Sequence, residues 1–158
     1  MSPRWEQTLE ERFWEKVDKT GTCWNWVAFK DSDGYGKIKI GGLPRRAHRV
    51  SYVAAYGDIP DGMTVDHICH NTSCVSPEHL RLATQKQNNE NRAGAQINST
   101  SKVRGVSWHR ECKKWQARVQ HNGRFYHVGL FDTIEEAGAA AAAKRNQLFT
   151  HNAADRAA

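Results

Sequence analysis

Apolar residues recur at two different periods along this chain, and the change of period divides it. Leu9, Phe13, Trp14 and Val17 fall at i, i+4, i+5 and i+8, which predicts an amphipathic helix over 6–17. After the Asp33-Gly34 turn, KIKI alternates and reads as a strand. PRRAHRVSYVAAYG (44–57) reads as a strand end running into a short helix, and MTVDH as a strand. A loop runs on to Pro77, LRLAT (80–84) is another strand, and TQKQNNENR opens a helix. AGAQINSTS is small and polar, as a helix end and linker should be. Beyond it VRGVSWH, KWQARVQ and RFYHVGLF are three strands, with His121-Asn122-Gly123 turning the second into the third. DTIEEAGAAAAAKRNQLF is a helix opened by a capping box, Thr133 with Glu136. The pattern predicts an α+β chain: a first domain over 1–97, a linker at 98–102, three strands on one helix over 103–152, and a tail from 153 to 158.

The mean hydropathy of −0.77 makes the core thin for 158 residues, so a staple is expected. No apolar run is long enough for a membrane span and no export signal opens the chain, so a cytoplasmic location is expected. There, clustered Cys and His read as metal ligands rather than disulfides. The net charge of +6 is uneven: residues 1–92 carry 13 Lys/Arg against 12 Asp/Glu, residues 93–158 carry 10 against 5. A basic, aromatic C-terminal third points to a polyanion such as nucleic acid.

Chemistry concentrates in DHICHNTSCVSPEHL (66–80), which holds three His, two Cys and one Asp. Cys69 and Cys74, four residues apart, can bite one tetrahedral Zn2+ with His79 as third ligand. Cys23 is the choice for the fourth, with His70 and His48 as alternatives; Cys112 lies across the linker. Asp66 and Asn88 offer oxygens to a hard cation such as Mg2+, and His67 offers a neutral imidazole as general base. Base, metal and phosphate are the parts of a nuclease.

The run VDHICHNTSCVSPEHL with TQKQNN resembles the HNH nuclease superfamily, especially the branch shared with His-Cys box homing endonucleases. The resemblance covers roughly residues 10–92, including CWNW, DGYGKI and AHR upstream, and implies a zinc-stabilised ββα-metal fold. It implies His67 as general base, Asn88 as a catalytic metal ligand 21 residues later, and Asp66 as a second ligand. It also implies structural zinc on Cys23, Cys69, Cys74 and His79, and a phosphate-side arginine among Arg45, Arg46 and Arg49. This chain mixes two patterns, because the His-Cys box enzymes lack the aspartate.

Residues 102–150 resemble the DNA-binding domain of plant ethylene-response factors through RGV, WQARV, VGLFDT and the EEA helix. That resemblance implies a three-stranded sheet in the major groove of double-stranded DNA. Strand alternation puts Trp115, Ala117 and Val119 on the helix side and Gln116, Arg118 and Gln120 on the other. Arg118 and Gln120 are the leading DNA candidates, joined by Arg104, His109, Arg124 and His127. Ser107, Phe125 and His127 stand where the plant domains carry arginines and tryptophans, so no target sequence carries over. Together these readings anticipate a free-standing, homing-type, metal-dependent DNA endonuclease working in a phage-infected bacterium. A monomer would nick and a homodimer could cut both strands; the alternative is a non-enzymatic DNA-binding regulator with a degenerate zinc-stabilised HNH domain.

Overall fold

The computed structural model describes residues 7–156. They form two compact units that divide between Gln85 and Lys86. Among the described residues no helix is long and apolar enough to cross a membrane.

The first unit begins with α1, Leu9–Trp14. Thr8 and Glu11 cap it reciprocally, side chain to backbone. The helix is shorter than the expected 6–17, and Glu6 lies outside the described residues. Val17 belongs instead to β1 (Val17–Asp18), opposite Trp26 of β2 (Asn25–Trp26), where it joins the core. The 13/14/17 spacing was therefore apolar for two reasons, a helix turn and a strand partner.

β3 (Lys37–Ile40) and β4 (Leu43–Arg46) form a hairpin closed by Gly41 and Gly42, both at positive φ. α2 (Ala47–Tyr56) follows directly, and Ala47 N–H donates to the Gly36 carbonyl at 2.8 Å. Gly36 is needed for space, since a Cβ there would sit 2.5 Å from the Trp26 ring. Phe13, Trp26, Ile38, Ala47 and Val75 make the main core. β5 (Met63–His67) and β6 (Leu80–Thr84) form an antiparallel pair, with Tyr52, Val65 and Leu80 as a second small core.

The second unit opens on α3, Gln85–Glu90, most of which folds with the C-terminal module. β7 (Val106–His109), β8 (Lys114–His121) and β9 (Arg124–Phe131) make an antiparallel sheet in the order β7-β8-β9. Asn122 and Gly123, both at positive φ, close the β8–β9 turn. α4 (Ile134–Leu148), opened by the expected Thr133–Glu136 capping box, lays Ala137 and Ala141 on Val106 and Ala117. Small side chains let helix and sheet approach closely. Gly105, at φ 80°, serves the same end: a Cβ there would lie 2.6 Å from the Arg118 carbonyl oxygen.

The segment expected to be a tail contains α5, Ala153–Arg156, and has a structural role. Arg145 is only 5% exposed, and its Nη2 and Nε donate to the two oxygens of Asp155 at 2.8 and 2.5 Å. A buried guanidinium needs such a partner, and no apolar pattern announces one. Burial alone would raise the Asp155 pKa, but hydrogen bonds from Arg145 and Asn152 outweigh it and hold the carboxyl below its ordinary value. The pair's stabilisation is thus present above the unfolded carboxylate pKa and is lost as pH falls through the lower folded value. Asp155→Asn is expected to cost about 2 kcal/mol near pH 7 in chemical denaturation, a modest figure because Asp155 keeps some exposure. The gap to wild type should close below about pH 4; a pH-independent gap would rule out the charged pair as its source.

Candidate functional site

Two short segments pair as backbone and so create the cysteine cluster. Trp26 N–H donates to Ser73 O and Val75 N–H to Trp24 O, both at 2.8 Å, with Asn25 opposite Cys74. Asn71 reinforces the join, donating to Asn25 Oδ1 at 2.7 Å and accepting from Ser73 N–H at 3.1 Å. Ser51 Oγ donates to Val75 O at 2.6 Å and ties α2 to the same segment. Cys23 thereby arrives beside the loop that carries Cys69 and Cys74, and a short 3-10 turn, Pro77–His79, brings in His79.

The ligand atoms of Cys23, Cys69, Cys74 and His79 all lie within 4.8 Å of one another. His79 Nδ1 is 3.6 Å from Cys23 Sγ and 3.5 Å from Cys74 Sγ. A tetrahedral zinc with ordinary Zn–S and Zn–N bonds has an S···N edge of about 3.6 Å, so the donor set fits Zn2+. His48 and His70 stand outside this four-donor group, and Cys112 is an exposed thiol of the second unit. A Cys69 hydrogen bond to Cys74 and burial push the Cys69 thiol up, while that same bond holds Cys74 down. Binding a metal ion requires these thiols to be deprotonated.

His67 ends β5 and is buried. Its Nε2–H donates to the Cys74 carbonyl at 2.9 Å, a tautomer that puts the basic lone pair on Nδ1. Cys74 therefore contributes its sulfur to the metal group and its carbonyl to the imidazole. Burial lowers the His67 pKa, only partly offset by that carbonyl and by Asp66, so the ring is neutral near pH 7.

Around it lie groups that sequence reasoning did not assign to the base. The His48 ring is 4.8 Å from His67, and Tyr35 is 5.1 Å from His48 and 5.9 Å from His67. Burial, then His67, Arg46 and Arg49, press the His48 pKa down to about 3. All three candidate arginines are exposed, and the stacking of Arg46 4.3 Å over Tyr35 sets it apart among them. Nothing in the spacing of Tyr35, His48 and His67 signals this cluster, because three separate elements build it.

Asp66 points away from His67, as adjacent strand residues must. It sits opposite Arg81 in the β5–β6 register, and Arg81 Nε and Nη2 both reach Asp66 Oδ2 at 3.0 Å. Arg81 was not among the expected site residues. Asn88 lies half-buried on α3 in the second unit.

The sheet of the second unit sorts the expected DNA contacts. Arg118 opposes His127 and Gln120 opposes Phe125, so these four share a face, with His109 opposite Lys114 on the same side. Phe125 is 66% exposed and lies 5.6 Å under the Arg118 guanidinium, an aromatic the alternation rule alone did not promote. Arg124 opposes His121 and takes the face that meets α4. Arg104 is off the strands, and its guanidinium donates to the carbonyls of Asn89, Glu90 and Arg92 at 3.3, 3.1 and 2.6 Å. Neither arginine shares the sheet face of Arg118, Gln120 and His127.

Because bound zinc contributes folding free energy directly, Cys69→Ser is expected to lose zinc and lower the melting temperature of the first unit. Zinc content by atomic absorption alongside circular dichroism checks this, and an unchanged melt with unchanged metal content would exclude the site.

Residues 45–90 match the family described as HNH endonuclease. The chain is 40% identical over 68 residues to protein 7.7 of Escherichia phage T7, covering 43% of this chain and 52% of that protein. It is 34% identical over 83 residues to protein 2.8 of the same phage, covering 51% and 56%. The chain thus spans about half the length of these two curated relatives. With phage T7 protein 3.8 it shares 36% identity over 92 residues, 58% of this chain and 74% of that protein. No solved structure matches it. Residues 45–90 are thus an HNH endonuclease domain, and with most of protein 3.8 covered at 36% identity this chain belongs to the family of phage T7 protein 3.8.

Proposed function

We propose that the protein is a metal-dependent endonuclease that hydrolyses phosphodiester bonds in double-stranded DNA, of the free-standing homing type. The observation that carries this reading is His67, a buried neutral imidazole oriented by the Cys74 carbonyl inside a segment matching HNH endonucleases. In this reading the β5–β6 pair and α3 are the ββα-metal element. His67 takes a proton from water through Nδ1 as the water attacks phosphorus in line. Asp66 and Asn88 are the groups that would hold Mg2+ or another divalent cation. When bound, that ion supplies charge stabilisation for the phosphate and the leaving 3′ oxygen. Arg46, over Tyr35, is the arginine proposed for the phosphate, with Arg45 and Arg49 as backbone contacts. Zinc on Cys23, Cys69, Cys74 and His79 holds the loop and does no chemistry.

The C-terminal sheet, read as an ethylene-response-factor-type domain, anchors the enzyme on DNA through Arg118, Gln120, His127 and His109, with Phe125 stacked among them. The cytoplasm of an infected bacterium is the proposed setting. One observation favours the regulator reading instead: the Asp66–Arg81 pair occupies a proposed metal ligand.

Cleavage of supercoiled DNA from the source or host genome with Mg2+ separates the two readings. Wild type should relax or linearise the DNA, and His67→Ala should abolish cleavage while leaving DNA affinity intact. Tight binding without cleavage across several divalent ions would leave the regulator. For the sheet, Arg118→Ala should weaken binding and shallow the salt dependence by about one phosphate contact's worth of slope; an unchanged slope would remove Arg118 from the interface.

A further inference from the structure

The HNH match ends at Glu90, the last residue of α3, yet α3 folds with the module that follows. A helix of six residues is far too short to stand alone in water, where about 12–15 residues are marginal. Its stability must come from what it is tied to, and within the second unit those ties are specific.

Arg104 caps its C-terminal end, donating to the carbonyls of Asn89, Glu90 and Arg92, groups that a helix end otherwise leaves without intrahelical partners. Arg104 is itself held, since its own carbonyl accepts from the buried Arg145 at 2.7 Å and its guanidinium lies 5.5 Å over Phe149. Glu90 is 5% exposed. Its Oε2 accepts from Thr150 N–H at 3.1 Å, and its Oε1 lies 3.5 Å from both His121 Nε2 and Lys86 Nζ. Ala153 N–H donates to Asn91 Oδ1 at 3.1 Å. A buried carboxylate and a half-buried guanidinium, both spent on fixing one short helix, are costly unless that helix must be held.

We infer that the C-terminal module is a structural part of the nuclease as well as its DNA anchor. Arg104 and Glu90 are positioning residues that fix α3 and, through it, Asn88. This rests on the reading of Asn88 as a metal ligand. Misplacing a catalytic group by an ångström can cost about a hundredfold in rate, so loosening α3 should act on turnover rather than on DNA binding.

The test uses the full chain with Arg104→Ala, Arg104→Lys and Glu90→Gln. Three readouts are taken: kcat for DNA cleavage, DNA affinity by anisotropy, and amide hydrogen exchange of residues 85–90. Arg104→Ala is expected to lower kcat by about tenfold or more, leave Kd unchanged and raise exchange in α3. Arg104→Lys, which keeps a cation at the helix C-terminus, should restore part of both. Glu90→Gln, which keeps the shape, provides the same reading should Arg104→Ala not fold. Wild-type kcat in the two neutralising variants would overturn the inference. So would a joint loss of kcat and affinity with α3 exchange unchanged, which would make Arg104 a DNA contact. If the wild type cuts no DNA, the endonuclease reading fails by itself. Exchange in α3 then decides this one: unchanged protection in both variants overturns it, and lost protection supports the module as the holder of the helix.

Discussion

Everything in the first unit hangs on the antiparallel join between residues 24–26 and 73–75. Two backbone hydrogen bonds of 2.8 Å bridge nearly fifty residues of chain. Closing so long a loop costs entropy that two hydrogen bonds do not repay. The join holds because Trp26 and Val75 are buried on it, Ser51 anchors it from α2, and four metal-ligand atoms converge at its end. Zinc, which fits those four donors, would add its binding free energy at the one point where the thin core needs it.

The join also explains why stability and chemistry are not separable here. The Cys74 side chain faces the other ligands while its carbonyl orients His67. Displacing Cys74 from the donor group would also disturb the carbonyl that fixes the His67 tautomer. His48 and Tyr35 pack on the same ring and keep it out of water, which is what lowers its pKa. A structural knuckle and a candidate proton acceptor share one residue, so neither description of this segment is sufficient alone.

The second unit solves a different problem. Its helix α4 is rich in alanine, six of fifteen residues, so buried polar and charged groups add the specificity that larger side chains supply elsewhere. Arg145 holds Asp155 against the end of α4, and Glu90 ties the start of the unit to Thr150 and to His121 of β8. Such pairs add little stability compared with apolar packing, but losing one partner is severe, because the other is left charged and buried. Hence Ala153–Arg156, which no apolar period announces, is part of the structure.

What the sequence determined by itself was whatever depends on local period and local chemistry. Alternation placed β3, β5, β6 and all three strands of the C-terminal sheet, because a strand face repeats every two residues wherever it packs. The Thr133–Glu136 box marked the start of α4, and the Cys-x4-Cys spacing with His79 marked the metal loop, because both are decided within a few residues. Only the tertiary structure decided the rest. It ended α1 at Trp14, since Val17's apolar character serves a strand partner that no helical period reveals. It set Asp66 against Arg81, and put Arg104 on the end of α3 and Arg124 on the helix side of the sheet. For a charged side chain the sequence shows the charge, but which opposite charge or carbonyl lies within reach depends on register and on segments far away in the chain.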